Sequence, residues 1–467
     1  MENNKHMLLA LALVFILAFL IRAAPMFTGS NICPDPYFHT RMSEEIVNNG
    51  SLPVYDELSN QGRWYSYAPL YHTTYAVLSI FTNLPVPFLI NLFPVVYGTF
   101  GVLLVFVFAR RIFGTKVGLF SALTLAVTGI HVVRTASYSR PDGLALLIVP
   151  AIIYLIYMRR FKVAALLSAA AVLLHPLSTA YLLTLMIALA VVLRVKKEPV
   201  QWKSYAAITL LTVFVFVAWL LTLHYPPNLY VSDISYTSAE MGDFSLIGIA
   251  TYFTFAWIFI IIGILKMKRE FFLATWFIYT LLFAVLGFRL AIFLSIPAAI
   301  IAGYGISYVA GKMENNMQLA IFYLMLFTLA FIPVAAELNN DGGKFLSDEE
   351  RGGMLWLREN SDANATIASS WDRGHPLTYF ARRKVLMDGY FEFAPNLQER
   401  LDAMNMLIST ADCGKIKKTV DAFGIDYFFV HSSALNNLSY QNGILEADCD
   451  FMSLAYSSDK VRIFRYG

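Results

Sequence analysis

Long apolar runs separated by short polar segments fill the chain from residue 7 to about residue 337. A helix needs about 20 mainly apolar residues to cross a bilayer, and eleven runs come near this length. They predict spans at about 7–23, 86–108, 117–133, 142–158, 162–177, 178–194, 204–223, 246–265, 271–286, 290–311 and 317–336. The segment 70–84 is too short for a confident span and is rich in Thr, Tyr and His. This favours a helix that lies on the outer membrane surface.

Basic residues orient these spans. Four polar connections are rich in Lys and Arg, namely 110–116, 159–162, 194–203 and 266–269. Cytoplasmic loops carry an excess of such residues. The N-terminus is therefore predicted to be cytoplasmic, with external loops at 24–85 and 224–245. The first run is predicted to be an uncleaved anchor, because it is followed by Arg22 and not by a cleavage site made of small residues.

The pattern changes after about residue 337. Charged residues, Asn and Gly appear, and Gly342-Gly343 precedes a helix-like stretch at Asp348–Glu359. The alternation in 366–370 and 426–430 is typical of buried strands. The sequence therefore predicts a mainly α multispanning membrane domain at residues 1–337 and a small extracytoplasmic α/β domain at residues 338–467.

Composition agrees with a multi-pass protein of the cell membrane. Hydrophobic residues make up 58% of the chain, charged residues 14%, and the mean hydropathy is +0.58, which excludes a soluble domain. A net charge of +3 gives no reason to expect a nucleic-acid partner. Of the three cysteines, Cys413 and Cys449 both fall in the external domain, where a disulfide between them is chemically possible.

Acidic residues mark the predicted outer loops. Asp35 lies in the segment Asp35-Pro-Tyr-Phe-His39-Thr-Arg41 just past the first span, and Asp142 and Glu240 lie in two other outer loops. A few carboxylates that leave room for water and phosphate oxygens are how proteins hold Mg²⁺ or Mn²⁺. The loop with Glu240 has about twenty residues without Lys or Arg. Loops of this length are often functional, and the alternative is a hydrated linker.

Arg289 is the only basic residue between Arg269 and Lys312. A guanidinium at this membrane edge can bind a pyrophosphate through paired hydrogen bonds. The alternative is an anchor whose charged end reaches the lipid head groups.

Four segments together resemble the catalytic subunit of oligosaccharyltransferase, a multispanning glycosyltransferase of the GT-C type, and favour a short archaeal-type single-subunit relative. They are Asp35–Arg41, Arg134–Gly143, Thr237–Glu240 and Ser370–Gly374, with Arg289 at a fifth position. They occur in the order of that family and on the same predicted side of the membrane. The chain has about two spans fewer than the family's thirteen.

The resemblance implies a catalytic and metal-binding role for the outer acids. Asp35 and Glu240 would act on the acceptor asparagine, and Asp35, Asp142 and Glu240 would bind Mn²⁺ or Mg²⁺. One departure concerns the second outer loop, where the family has two acids separated by one residue. Here Arg140 and Pro141 precede a single acid, Asp142.

The resemblance also implies substrate contacts. Arg289 and His39 would bind the donor, Arg289 through its pyrophosphate. Trp371, Asp372 and Gly374 match the family motif Trp-Trp-Asp-Tyr-Gly and would receive the hydroxyl at the +2 position of the sequon, with Gly374 allowing a sharp turn. In the alternative interpretation, Trp371 only packs in the core of the external domain.

Two positions of that motif differ. Ser370 and Arg373 replace its first Trp and its Tyr, which predicts a shallower pocket with Arg373 facing acidic groups of the glycan or peptide. The altered motif leaves open whether sequons are read at all.

The function expected from these features is transfer of a glycan from a lipid-(pyro)phosphate carrier to the asparagine amide of a protein sequon at the outer membrane face, assisted by metal and with inversion. The partners would be the bilayer, a lipid-linked oligosaccharide and an acceptor protein or peptide with Asn-X-Ser/Thr. One alternative is a GT-C transferase that joins a polyprenyl-phosphate sugar to a lipid or glycan acceptor. A transporter or scaffold is the other, but the predicted spans hold almost no acids at mid-depth.

Overall fold

The computed structural model describes residues 2–28, 33–136, 139–223, 253, 255–267, 270–285, 288–338, 345–435 and 437–467. Helices dominate its first 338 residues. They are Glu2–Thr28, Asp35–Asn49, Leu70–Thr82, Val86–Phe113, Thr115–Val127, Gly129–Ala136, Pro141–Tyr157, Phe161–Leu174, Pro176–Val195, Trp202–Leu220, Ala256–Lys266, Phe271–Val285, a 3-10 turn at Phe288–Leu294, Ser295–Ala310 and Asn316–Leu338.

The predicted membrane fold is confirmed. Among the described residues, five helices are long and apolar enough to cross a membrane, a bent pair at 115–136 forms one more candidate, and five shorter apolar helices accompany them. Each of the eleven predicted spans overlaps one of these segments. Helix Trp202–Leu220 leaves Leu210 70% and Phe214 69% exposed. Apolar side chains presented outward in this way are typical of a lipid-facing surface.

Close contacts between small residues pack the membrane helices. A Cβ atom added at Gly303 would collide with Ser121, and one added at Gly305 would collide with the carbonyl of Phe259. Small residues let helix backbones approach when lipid gives no hydrophobic drive for association. Trp276 is buried in the same hydrophobic core, where its indole N–H donates to Tyr181 Oη at 3.0 Å.

A buried arginine stabilises the bend of 62° between helices Thr115–Val127 and Gly129–Ala136. Arg22 donates to the carbonyl oxygens of Leu125 and Ala126 and to Thr135 Oγ1. The last carbonyls of a helix have no partner within that helix, and a guanidinium satisfies them. Arg22 therefore acts inside the protein rather than only flanking an anchor.

The C-terminal domain is built on a five-stranded sheet. Strands β1 (Tyr55–Asp56) and β2 (Arg63–Trp64) belong to the loop after the first span and form a separate two-stranded sheet. The strands of the C-terminal sheet are β3 (Thr366–Ala368), β4 (Lys384–Val385), β5 (Tyr427–His431), β6 (Met452–Ser457) and β7 (Val461–Tyr466). Their order in the sheet is β4-β3-β5-β7-β6. Strands β3, β4 and β5 are parallel, and β7 is antiparallel to β5 and β6. The predicted strands at 366–370 and 426–430 overlap β3 and β5.

Helices cover this sheet on both sides. They are Asp348–Asn360, Trp371–Phe380, Leu397–Ser409 and Cys413–Phe423, with short turns at Phe391–Phe393, Ser432–Leu435 and Leu438–Gln441. The first confirms the helix predicted at 348–359 and begins with a capping box, in which Ser347 and Glu350 bond each other's backbone N–H. A disulfide joins Cys413 to Cys449.

The first external loop is built into this C-terminal domain. Ser59 forms a parallel bridge with Val385 of β4, and the backbone N–H groups of Asn60 and Val385 donate to Val385 and Leu58 at 2.9 Å. The loop therefore extends the edge of the sheet. The predicted domain boundary at residue 337 falls at the end of helix Asn316–Leu338, but residues of the first loop share the sheet beyond it.

Buried charges join the same two parts. Arg41 and Arg63 both bond Asp56, at 2.8 Å in each case, and Arg63 also bonds Asp388 at 2.6 and 2.7 Å. All four side chains are at most 3% exposed. Buried charges need such pairing and hydrogen bonding to be tolerated. The paired arginines hold the C-terminal domain, called the outer domain below after its predicted location, against the first-loop helix Asp35–Asn49.

Candidate active site

Asp35 is the first residue of helix Asp35–Asn49 and lies at the junction of the membrane and outer domains. A carboxylate in the first turn of a helix is favoured by the helix dipole. Its Oδ2 accepts from Arg140 Nε at 2.8 Å, and its side chain remains 20% exposed. Asp35 is thus an accessible carboxylate with one arginine on one of its two oxygens.

Asp142 lies close by, because it is two residues beyond Arg140 in the first turn of helix Pro141–Tyr157. Its side chain is 1% exposed, and its Oδ2 is 3.5 Å from Arg134 Nη1. The structure therefore brings Asp35 and Asp142 to one region through Arg140. Glu240 lies outside the described residues. Arg289 falls in the 3-10 turn Phe288–Leu294, and its side chain also lies outside the description.

The described residues alone do not make a site for a divalent cation. No three His, Cys, Asp or Glu side chains are grouped as metal ligands in the part of the chain that the structure describes. Each of the two described carboxylates predicted to bind metal has an arginine within 3.5 Å. A dication needs several oxygen ligands with negative charge, whereas Arg140 brings a positive charge to Asp35.

His39 lies on the face of its helix that is turned toward this region. Its Nδ1 is 2.7 Å from His72 Nε2, and Tyr65 Oη hydrogen-bonds His72 on the other side. Burial lowers the pKa of His39 and of His72, and the nearby Arg140 lowers the pKa of His39 further. Both imidazoles are therefore neutral at neutral pH, and the hydrogen-bonded chain fixes the orientation of His39.

The outer domain also contributes to the site. His375, on helix Trp371–Phe380, stacks on Phe38 with ring centroids 5.0 Å apart, and its Nδ1 is 3.5 Å from Asp388 Oδ2. Burial raises the pKa of Asp388, but Arg63 and His375 more than offset this and hold it at about 2. Asp388 is therefore ionised at every physiological pH. Phe38 belongs to the same helix as Asp35, so His375 reaches the first-loop helix directly.

The predicted acceptor residues begin the helix Trp371–Phe380. Trp371 is partly buried against one half of the outer-domain core and meets Phe391 edge to face at 6.0 Å. Asp372 is 30% exposed; its Oδ1 accepts from Ser370 Oγ and its Oδ2 from Arg373 Nη1 at 2.7 Å. Trp371 thus packs in the core while its neighbour Asp372 retains an exposed edge.

Two details of the expectation at this motif are wrong. Arg373 does not face outward: it is buried, bonds Glu350 at 3.1 Å and stacks over Phe345 at 4.3 Å. Gly374 does not form a turn, because it lies inside a helix. It is needed there for close packing, since a Cβ atom would collide with the Met387 carbonyl and with Asp388.

Several residues of the site were not found by sequence reasoning. Arg140 was noted only as a departure, although it bonds Asp35, and Asp56, Arg63 and Asp388 were not singled out. Asp388 follows the buried strand β4 in Lys384-Val-Leu-Met-Asp388-Gly, a position where polar residues are often functional. His375 follows Gly374 directly in the sequence, but no pattern there indicated a function for it.

Comparison with known proteins agrees with this architecture. No family model matches the chain. Over 55 residues it is 36% identical to the STT3B subunit of dolichyl-diphosphooligosaccharide–protein glycosyltransferase from Oryza sativa subsp. japonica. Over 103 residues it is 27% identical to a dolichyl-phosphooligosaccharide-protein glycotransferase from Methanocaldococcus jannaschii. These matches cover 12% and 21% of this chain and only 8% and 11% of the two relatives.

Solved structures match over almost the whole chain. The oligosaccharyltransferase of Archaeoglobus fulgidus in its apo form has a TM-score of 0.74 at 12% identity and covers 91% of this chain, which spans 70% of that protein. This chain therefore shares its fold with that archaeal protein. ArnT from Cupriavidus metallidurans, bound to undecaprenyl phosphate, gives a TM-score of 0.64 at 14% identity and is covered to 98%. The mainly α multispanning fold with a small α/β domain, predicted from the sequence, is confirmed.

Proposed function

We propose that this protein is an oligosaccharyltransferase, which moves a glycan from a polyprenyl-(pyro)phosphate carrier to the asparagine amide of a sequon. The observation that carries the proposal is the position of Asp35, an accessible carboxylate between the outer ends of membrane helices and an outer domain that presents Asp372. The fold of the A. fulgidus enzyme supports it. Structures of that enzyme hold an acceptor peptide with the NVT sequon, or an inhibitory peptide and a dolichol-phosphate.

In the proposed reaction the amide nitrogen of the asparagine attacks the anomeric carbon. The bond from that carbon to the phosphate oxygen breaks, its electron pair leaves with the phosphate, and the nitrogen gives one proton to a carboxylate. Asp35 is the described carboxylate that can accept the N–H hydrogen bond, and Glu240 is its proposed partner. A single displacement of this kind inverts the configuration of the sugar.

Hydrogen-bond donors would stabilise the departing phosphate. Arg289 is proposed to bind the pyrophosphate by paired hydrogen bonds, and the neutral His39 to donate one more. Mg²⁺ or Mn²⁺ on Asp35, Asp142 and Glu240 stays a prediction, although a structure of the A. fulgidus enzyme holds Zn and sulfate. Since the described residues do not fit a dication, we derive no step through a metal.

The proposed orientation places the outer domain on the non-cytoplasmic side. The Cys413–Cys449 disulfide supports it, because such bonds persist in oxidising compartments and are rare in the cytosol. The four connections rich in Lys and Arg support the same orientation, because cytoplasmic loops carry an excess of such residues. Protease accessibility of the outer domain in sealed vesicles of known orientation would test this.

The function is tested by incubating the purified protein with a lipid-linked glycan and a peptide containing Asn-X-Thr. We expect a glycopeptide whose mass increases by one glycan and whose modified residue is the asparagine. A peptide with Gln in place of Asn is the control and should stay unmodified. The variant Asp35→Asn should lose transfer, because its neutral amide cannot accept the proton that the acceptor nitrogen releases.

A specific observation favours a second candidate. Asp372 already accepts hydrogen bonds from Ser370 and Arg373, so part of its capacity to bind an acceptor hydroxyl is used within the domain. The chain also matches the undecaprenyl-phosphate-bound ArnT over 98% of that protein. The second candidate is therefore a transferase that joins a polyprenyl-phosphate sugar to a lipid or glycan. Transfer to extracted lipids in place of peptide would support it.

A further inference from the structure

His375, in the outer domain, lies against the first-loop helix near Asp35 and has no role in the function proposed above. It lies four residues after Trp371 on helix Trp371–Phe380, so both side chains are on the same side of that helix. It is 2% exposed, although a histidine is expensive to bury. Its surroundings indicate what its burial achieves.

Two neighbours restrict the imidazole. Its ring stacks on Phe38 with an angle of 30° between the planes, and its Nδ1 is 3.5 Å from the Asp388 carboxylate. Asp388 is itself held by two hydrogen bonds from Arg63. Phe38 lies three residues after Asp35 in the same helix. Packing between the two domains therefore restricts the rotation of the imidazole.

The opposite nitrogen of the ring points to the space beside Asp35. A Cβ atom added at Gly389 would lie 2.8 Å from His375 Nε2 and 3.8 Å from Asp35 Oδ1. The two polar atoms thus border one small space that only a glycine at position 389 leaves open. The other oxygen of Asp35 is bonded to Arg140.

We propose that His375 is a positioning residue for Asp35, through which the docked outer domain holds this carboxylate at the angle required to receive the acceptor amide. The inference rests on the proposed function, in which Asp35 accepts that hydrogen bond. The terminal torsion of an aspartate is broad and has no strong preferred angle of its own. Arg140 fixes one oxygen, and His375 limits where the other can lie. A misplacement of about 1 Å in such a group costs about 10²-fold in rate.

Four variants test the inference in the transfer assay. His375→Ala removes the ring, and Gly389→Ala places a methyl group between His375 and Asp35 while both remain. We expect each to lower kcat at least about tenfold and to change KM for the peptide less than about threefold, because binding contacts are retained. His375→Gln carries a polar group near the Nε2 position and should recover part of kcat, whereas His375→Asn, which reaches only the Nδ1 position, should not.

The matched control is Gly352→Ala on helix Asp348–Asn360. A Cβ atom there meets only Tyr456 Oη, at 3.8 Å, which is ordinary contact distance. It should leave kcat and KM unchanged, and its thermal midpoint should not fall, because Ala is favoured over Gly within a helix. If His375→Ala fails to fold, His375→Gln and Gly389→Ala still carry the test.

A second readout needs no acceptor. The rate at which a water-soluble carbodiimide modifies the Asp35 carboxylate is followed by peptide mass spectrometry in the full-length protein. We expect a change of about fivefold or more in His375→Ala and Gly389→Ala, and none in Gly352→Ala, because a released carboxylate is more accessible.

The two readouts separate the inference from the proposed function. If the wild-type protein transfers nothing to peptide but the reactivity of Asp35 still changes in the variants, the positioning role stands and the proposed function fails. Unchanged reactivity of Asp35 overturns the inference whatever the activity. A changed reactivity with normal kcat in an active protein also overturns it, because the position of Asp35 would then not matter for catalysis.

Discussion

Replacing Arg63 by Met should undock the outer domain from the first external loop. Arg63 is 1% exposed and makes hydrogen bonds of 2.6–2.8 Å to Asp56 and Asp388, with one more to the Tyr390 carbonyl at 2.9 Å. Within the described residues, Asp388 would lose the arginine that pairs with it and keep only the Tyr390 backbone N–H at 2.9 Å and the nearby His375 imidazole. Breaking a buried ion pair by removing one partner costs about 3–5 kcal/mol.

Hydrogen exchange measures this cost at the interface itself. The amides of Asn60 and Val385 bond across the junction between loop and domain at 2.9 Å, so they exchange when it opens. We expect Arg63→Met to speed their exchange by about 10²–10⁴-fold, which corresponds to the energy above. Amides of helix Leu397–Ser409, inside the outer domain, should change much less.

The matched control is Arg382→Met at the same interface. Arg382 bonds Glu44 at 2.9 Å, but the two side chains are 37% and 25% exposed. An exposed pair contributes about 0–1 kcal/mol, so exchange at Asn60 and Val385 should rise about fivefold at most. Equal effects of the two replacements would refute the reasoning, since it holds that burial makes the Arg63 pairs essential for docking.

Three other outcomes are expected. Burial lowers the pKa of His39, His72 and His375, so below about pH 6.5 the folded protein binds fewer protons than the unfolded chain. The free energy of unfolding should therefore fall by up to about 1.4 kcal/mol per pH unit for each histidine as the pH drops below that value. An equal thermal midpoint at pH 7.5 and 5.5 would contradict this. Arg289→Leu should raise KM for the lipid-linked donor much more than KM for the peptide, because only the donor carries pyrophosphate; equal loss of both would indicate a role in folding. Arg140→Asp should tighten Mn²⁺ binding at least about tenfold by electron paramagnetic resonance titration, because it replaces a cation beside the site with an oxygen ligand; an affinity equal to that of the wild type would show that Arg140 does not oppose a metal.

Hydropathy and charge predicted the membrane part of the fold well, because lipid imposes a length and an apolar composition on each span. The run at 117–133 shows the limit of this reasoning. It appears as one span in the sequence but bends by 62° near Thr128, where Arg22 bonds the freed carbonyls. The sequence around Arg22 only suggested an anchor, since its partners lie more than 100 residues away.

The chemistry of the site was predictable where a motif carried it and not where distant residues create it. Asp35 and Asp142 were selected from their position after apolar runs, and they lie near one another. The pairing of Arg63 with Asp388 spans 325 residues, and no local pattern indicates it. Gly374 shows the opposite problem, because a glycine that suggested a turn is needed for helix packing against Met387.

A single pair of peptides gives the most direct test of the proposed function. The two peptides differ only in Thr or Ala at the +2 position after the asparagine, and both are incubated with the wild-type protein and a lipid-linked glycan. If Asp372 and its neighbours read the acceptor hydroxyl, mass spectrometry will find the glycan on the asparagine of the Thr peptide and at most about 10⁻⁴ as much on the Ala peptide, as for a site built to bind a hydroxyl. Equal transfer to both peptides, or transfer to neither, would contradict sequon glycosylation by this protein.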